Sequence, residues 1–278
     1  MELEIRHAPD PVRFARMNTA EMRESLLLEN LFVPGSLRMV YSHVDRAIIG
    51  AATPELDPLR LETSKELAAE FFTQRRELGI INIGEEGSIR VEGKEYWLAS
   101  RDALYVGRGN KKVSFHRGNS GSTPRFYFVS YPAHAAFPTV HTRKSEAEPT
   151  RLGSPAQANQ RTIYKYIHPA GIRSCQLVMG FTELETGSVW NTMPPHTHAR
   201  RSEVYLYFDL SLDAMIIHCM GDPRETRHLV VRDKQAVISP SWSIHAGVGT
   251  QAYTFVWAMG GENQEFGDMD AAPIDTLR

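Results

Sequence analysis

The sequence predicts an all-β protein made of two tandem antiparallel barrels or jelly rolls, with short helices confined to the N-terminus. Three observations carry this. Short β-branched and apolar segments recur between Gly-rich turns, the pattern of a sandwich or barrel. A faint repeat runs in the same order through both halves. A Pro-, Ser-, Glu-, Ala- and Asn-rich stretch from Thr139 to Gln160 separates those halves.

Composition sets the outer bounds. The chain has 278 residues, 42% of them hydrophobic and 23% charged, so it has the makings of a folded core. Lys+Arg number 31 and Asp+Glu 33, a net charge of -2, which offers no basic excess for a nucleic-acid backbone. No apolar run is long enough for a membrane helix. The opening Met1-Glu2-Leu3-Glu4 has neither the basic nor the apolar region of a signal peptide, so secretion by a signal peptide is not expected. Cys175 and Cys219 are read as two small core hydrophobes rather than a disulfide.

The elements follow in order. Asn18 with Glu21 forms a capping-box pattern, and Met22 and Leu26 share one face, which predicts a helix over residues 18 to 31. Thr63 with Glu66, and Leu67 with Phe71, predict a second short helix from Ser64 to Phe72. Strands are expected at Ile80–Ile83, Ser88–Val91, Glu95–Leu98 and Ala103–Val106. In the second half they are expected at Cys175–Phe181, Val204–Phe208, Ala214–Met220, Arg227–Val231, Ala236–Ile238 and Tyr253–Met259. The repeat matches Ile48-Ile49-Gly50 with Val178-Met179-Gly180. It also matches Arg75-Arg76-Glu77 with Arg200-Arg201-Ser202-Glu203, and Asp102–Val106 with Gln235–Ser239. The expected domains are an N-terminal helical arm over 1–30 and two barrels, one over 31–150 and one over 151–278.

The chemistry concentrates in Pro195-His196-Thr197-His198-Ala199-Arg200-Arg201-Ser202-Glu203. Alternate strand residues share a face, so His196 and His198 point together. A hairpin brings the Glu203 carboxylate back beside them, and two imidazoles with one carboxylate suit a borderline divalent metal. His245, five residues after Pro240 and following an apolar strand, is the candidate fourth ligand. Tyr205 and Tyr207 share the strand face of Glu203 and are candidates for binding a polar ligand. The first half has no His-x-His before Arg75-Arg76-Glu77. His43, His116, His134, His168, His218 and His228 lack partners at ligand spacing.

These motifs resemble the cupins. Gly187 through Glu203 resembles their first motif, Gly…His-x-His-x(3,4)-Glu. Pro240 and His245 fit their second motif, Gly-x(5)-Pro-x-Gly-x(2)-His, in which Lys234 and Trp242 replace the glycines. Gly107, Gly109 and Lys112 resemble the second motif in the first half, with Lys112 in the histidine position. The resemblance implies a bicupin whose first barrel binds no metal. Longer stretches resemble the 5-keto-4-deoxyuronate isomerase family: Tyr41–Arg46, Arg75–Gly84, Arg101–Gly107, Trp190–Pro194, Gln235–His245 and Gly261–Gln264.

That resemblance implies one Zn2+ per chain on His196, His198, Glu203 and His245. It also implies an aldose–ketose isomerisation of 5-dehydro-4-deoxy-D-glucuronate to 3-deoxy-D-glycero-2,5-hexodiulosonate during pectin or polyuronide breakdown, in a cytoplasmic homo-oligomer, a hexamer. The substrate carboxylate needs a cation, and Arg161, Lys165 and Arg227 are the candidates. Glu183 is the candidate base if the reaction runs through an enediol; a hydride shift needs none. Two other readings stand beside the isomerase: another metal-dependent cupin enzyme such as a dioxygenase, and a non-catalytic sugar-binding bicupin.

Overall fold

The computed structural model describes residues 3–119 and 121–278. The chain divides into two compact units, and each contains one seven-stranded and one four-stranded sheet. The expected all-β architecture is present.

The first unit takes the chain up to Arg6, residues 30–148 and residues 166–178. Its larger sheet runs in the order Glu4–Arg6, Ser36–Ser42, Ile48–Thr53, Phe126–Pro132, Arg76–Asn82, Ala103–Val106 and Val140–Thr142. Its smaller sheet is Leu59–Arg60, Val113–Arg117, Gly87–Val91 and Lys94–Leu98. The interior is filled by fully buried Leu78, Ile80, Leu104, Phe115, Phe126 and Phe128. The Phe115 ring centroid lies 5.5 Å from that of Phe126 and 5.9 Å from that of Phe128.

The second unit takes residues 7–29, 149–165 and 179–278. Its larger sheet runs Pro149–Leu152, Arg161–Ile167, Val178–Leu184, Thr254–Gly261, Arg201–Phe208, Gln235–Ser239 and Leu27–Leu28. Its smaller sheet is Trp190–Asn191, Ile244–Gly249, Ile216–Asp222 and Glu225–Val231. A further two-stranded ladder joins His196–Thr197 to Asp270–Ala271. The repeated segments occupy equivalent places. Ile48–Thr53 and Val178–Leu184 are third in their sheets, Arg76–Asn82 and Arg201–Phe208 fifth, Ala103–Val106 and Gln235–Ser239 sixth.

Several expectations need correction. The first long helix spans only Thr19–Leu26, with Asn18 and Glu21 closing the capping box as read. It stops there because Leu27 and Leu28 pair with Val237 and Ala236, and tertiary pairing outweighs helix propensity. The arm is therefore not separate: residues 7–29 belong to the second unit, and residues 166–178 to the first. The second helix is two 3-10 turns, Lys65–Leu67 and Phe72–Gln74, broken at Ala68 with φ +45°. So short a segment has too little apolar face to support a helix. The 139–160 stretch holds two strands, Val140–Thr142 and Pro149–Leu152. The strand expected from Cys175 begins at Val178, because the N–H groups of Cys175, Gln176 and Leu177 donate to the Glu77 carboxylate instead of to a ladder. Both cysteines are free, and both are half-buried rather than core. Lys112 is exposed and precedes the strand Val113–Arg117.

Candidate metal centre

Three local structures deliver the four side chains. His196 lies on the short strand His196–Thr197, and His198 begins the turn closed by the Arg201 N–H on the His198 carbonyl. Glu203 lies on Arg201–Phe208, a strand buried along its whole length. His245 lies on Ile244–Gly249, after a turn in which Ser243 N–H donates to the Pro240 carbonyl. The fold thus brings residues 49 positions apart into contact.

The ligand atoms of His196, His198, Glu203 and His245 all lie within 4.8 Å of one another. His196 Nε2 is 3.1 Å from His198 Nε2 and 3.0 Å from His245 Nε2. Glu203 Oε2 is 3.2 Å from His198 Nε2 and 2.9 Å from His245 Nε2. His198, Glu203 and His245 are buried, and His196 is half-buried at the cavity edge.

These distances carry a chemical argument. His198 Nδ1 lies 2.8 Å from the Asp268 carbonyl, which can only accept, so Nδ1 carries the proton. In the neutral ring Nε2 then presents a lone pair to the other three donor atoms. Lone pairs and a carboxylate converging away from water are unfavourable without a cation, and an ion about 2 Å from each fits their spacing. The ring's outer nitrogen on a carbonyl is also the usual orientation of a metal-bound histidine. Burial, with the neighbouring His245, holds the His196 ring neutral by lowering its pKa to about 3. Burial alone would raise Glu203, but the neighbouring His245 and His198 outweigh it and keep the carboxylate ionised. The donor set fits zinc or a similar divalent ion.

The site opens into a cavity of about 290 Å³. His196, His198, Glu203, Tyr205 and Arg161 line it, with an apolar wall that includes Trp257 and Phe266. Tyr205 Oη is 3.1 Å from Thr192 Oγ1, and its ring meets His245 edge-on at 5.4 Å. Burial and the Glu203 charge push its hydroxyl well up, so it stays protonated. Arg161 donates to the Asn159 carbonyl at 2.9 Å through one nitrogen. Burial lowers its pKa from a very high value, and it remains a cation.

The remaining candidates lie elsewhere. Arg227 donates to the carbonyls of Ala15 and Met17 at 3.3 and 2.9 Å, so it clamps the N-terminal segment. Lys165 Nζ sits over the Phe266 ring, 4.1 Å from its centroid, and is not among the residues that line the cavity. Tyr207 faces inward but is taken up by His218 Nδ1 at 2.7 Å. Gly247 makes room for this: a Cβ there would lie 2.8 Å from Tyr207 Oη and 2.7 Å from Asn191 Oδ1. Glu183 follows Thr182, which lines the cavity, so strand alternation turns Glu183 away, and it interacts with Tyr164. Sequence reasoning passed over Asp268, whose carbonyl orients His198. A backbone contact across 70 residues leaves no mark in a motif.

Comparison with known proteins agrees with the architecture. A ketol-isomerase of Caldicellulosiruptor bescii, named for 4-deoxy-L-threo-5-hexosulose-uronate, is 51% identical over 276 residues, 99% of this chain and all of that one. The proteins of the same name from Halalkalibacterium halodurans and Bacillus subtilis are 54% and 50% identical over the same length and coverage. Among solved structures, an IolB-like protein of Salmonella typhimurium aligns with TM-score 0.67 at 11% identity, covering 86% of this chain and 94% of its own. Oxalate decarboxylase of Lactobacillus farciminis aligns with TM-score 0.58 at 9% identity, covering 86% and 87%. Those two likenesses establish the cupin-type fold. The expectation of an enzyme of the ketol-isomerase class agrees with the names of the close relatives. The KduI/IolB family matches residues 27–273, and the chain belongs to that family.

Proposed function

We propose that the protein is a zinc-dependent aldose–ketose isomerase that converts 5-dehydro-4-deoxy-D-glucuronate to 3-deoxy-D-glycero-2,5-hexodiulosonate. The observation that carries this is the His196, His198, Glu203 and His245 cluster at the wall of a cavity, in a chain half identical to uronate ketol-isomerases from end to end. One ion per chain would sit on those four side chains and supply Lewis-acid polarisation of a substrate carbonyl. No helix among the described residues is long and apolar enough to cross a membrane, and the proposed setting is the cytoplasm, in pectin or polyuronide breakdown, as a homohexamer.

The chain's own residues divide the rest of the work. Arg161 presents a half-buried guanidinium to the cavity and binds the substrate carboxylate. Tyr205, protonated and paired with Thr192, donates to a substrate oxygen as negative charge develops there. Trp257 and Phe266 exclude water from the reacting carbons. Among the described lining residues the carboxylate is Glu203, already committed to the imidazoles. That favours a hydride shift over an enediol path with a carboxylate base.

The test is turnover of 5-dehydro-4-deoxy-D-glucuronate before and after chelation, with metal analysis and oxygen uptake on the same preparation. One zinc per chain, activity lost on chelation and restored by zinc, and no oxygen consumed are expected. Oxygen consumption would instead identify a dioxygenase, and metal binding without turnover a sugar-binding bicupin.

A further inference from the structure

The C-terminal segment Glu262–Ala272 lies against the metal centre at three points. Asp270–Ala271 pairs with His196–Thr197, in register His196 to Ala271. The Asp268 carbonyl receives His198 Nδ1 at 2.8 Å. Phe266 and Met269 form part of the cavity wall, with Phe266 5.4 Å from the Trp257 ring.

Core packing does little to hold this segment. From Glu262 to Ala271 every residue is half or fully exposed, and Ala272 is the first buried one. Polar latches hold it instead. Arg200 Nε reaches the two Asp268 carboxylate oxygens at 2.9 and 2.7 Å, and its Nη2 adds contacts to Asp268 and, at 3.1 Å, to Asp270. Buried Arg201 donates to the Glu265 carbonyl at 2.6 Å and to the Asp268 carbonyl at 3.1 Å. Asn263 Nδ2 donates to Asp268 Oδ2 at 2.6 Å. A segment tied by exposed polar contacts opens more readily than a core strand.

We propose that Arg200 and Asp268 are positioning residues of the metal centre. Their ion pair fastens the segment 262–272, so that the Asp268 carbonyl fixes the tautomer and tilt of His198 while Phe266 and Met269 complete the cavity wall. This rests on reading the four-residue cluster as a metal site. Ordering of the segment and binding of the ion are therefore coupled, and the coupling is reciprocal. Each stabilises the other.

The test uses zinc affinity, measured by competition with a chromophoric chelator, and hydrogen exchange over residues 263–271. Arg200→Ala and Asp268→Asn are expected to weaken zinc binding about 10- to 100-fold, the range for outer-shell partners of a metal-bound histidine. Arg200→Lys, which keeps the charge without the two-pronged geometry, falls between these and the parent. Zinc slows exchange over 263–271 in the parent, and slows it less in Arg200→Ala. Arg227→Ala, which releases the N-terminal segment, keeps parental zinc affinity. Parental zinc affinity in Asp268→Asn and Arg200→Lys, with exchange indifferent to zinc, overturns the proposal even if Arg200→Ala does not fold. A parent chain that binds no zinc overturns the metal reading together with this one.

Discussion

The two units bury a glutamate on the equivalent strand and use it in opposite ways. Glu77 is fully buried on Arg76–Asn82, and Glu203 is 5% exposed on Arg201–Phe208. Each sits close behind a buried arginine, Arg76 or Arg201. The Glu77 carboxylate accepts from the backbone N–H of Cys175, Gln176 and Leu177 at 2.7 to 2.9 Å, and from Tyr105 Oη at 2.8 Å. Burial and Glu77 itself push the Tyr105 hydroxyl up, so it remains a donor. Every partner of Glu77 is a hydrogen-bond donor, and nothing is left for a ligand. Glu203 faces two imidazole nitrogens that can also be lone pairs. The first unit fills its interior with phenylalanines, whereas the second keeps a cavity of about 290 Å³ beside its carboxylate. A buried carboxylate is thus a structural pin or a candidate metal ligand according to what surrounds it, not where it lies in the fold.

The largest effects should come from exchanging the carboxylates' fates. His245→Ala or Glu203→Gln should lower metal affinity by more than about 100-fold, beyond the range for outer-shell changes, and take turnover to background. Circular dichroism should show the fold retained. Full metal and activity in His245→Ala would reject the four-ligand site. Glu77→Gln should do the reverse: one metal per chain is kept, while stability falls by about 3 kcal/mol as charge-assisted bonds to three N–H groups are replaced by a poorly matched amide. Denaturant unfolding with metal analysis on one preparation reads both. Metal loss in Glu77→Gln without lost stability would break the comparison.

Legibility in the sequence followed the same divide. Three of the four clustered side chains are close in sequence and spaced by strand geometry, so His196, His198 and Glu203 could be read directly as candidate ligands, and His245 through Pro240. The repeat around Arg75-Arg76-Glu77 and Arg200-Arg201-Ser202-Glu203 marked equivalent strands. What escaped depends on distant partners. Leu27 and Leu28 look helical until paired with Val237 and Ala236. Strand Phe126–Pro132 is buried on both faces and shows no alternation to detect. Arg227 and Arg161 look alike as isolated cations. Only the fold gives one the carbonyls of Ala15 and Met17 and the other the cavity.

That last difference gives a smaller, sharper test. Arg161→Ala should raise KM about 30-fold, near 2 kcal/mol for a charged hydrogen bond, with kcat changed much less. Such a split marks contact with the substrate in both ground and transition states. Arg227→Ala should lower thermal stability and leave KM alone. Unchanged kinetics in Arg161→Ala would remove it from the site and turn attention to Lys165, whose Nζ already rests on Phe266.

The smallest expected effect concerns acid. Among the described residues the buried histidines are His198, His218 and His245, all in the second unit. His218 binds no proposed ion; its Nδ1 meets Tyr207 Oη at 2.7 Å and its Nε2 has no partner. Burial first, and His245 second, lower its pKa to about 3. Once unfolded, the same ring titrates near 6.5. Between these values the unfolded chain binds a proton that the folded chain refuses, so stability rises with pH across that window. Going down from pH 6.5, this one group removes up to about 1.4 kcal/mol per pH unit. His218→Phe keeps a ring of similar size but cannot take the proton. At pH 7 it should be less stable than the parent by about 1 kcal/mol, because Tyr207 loses its partner. By pH 5 the deficit should shrink or reverse. Urea unfolding in chelator at both pH values isolates the effect, since His196 then titrates alike in parent and variant. A deficit that stays constant from pH 7 to 5 would mean that His218 carries its proton in the fold, and that the second unit's interior is no more acid-sensitive than the first unit's packed one.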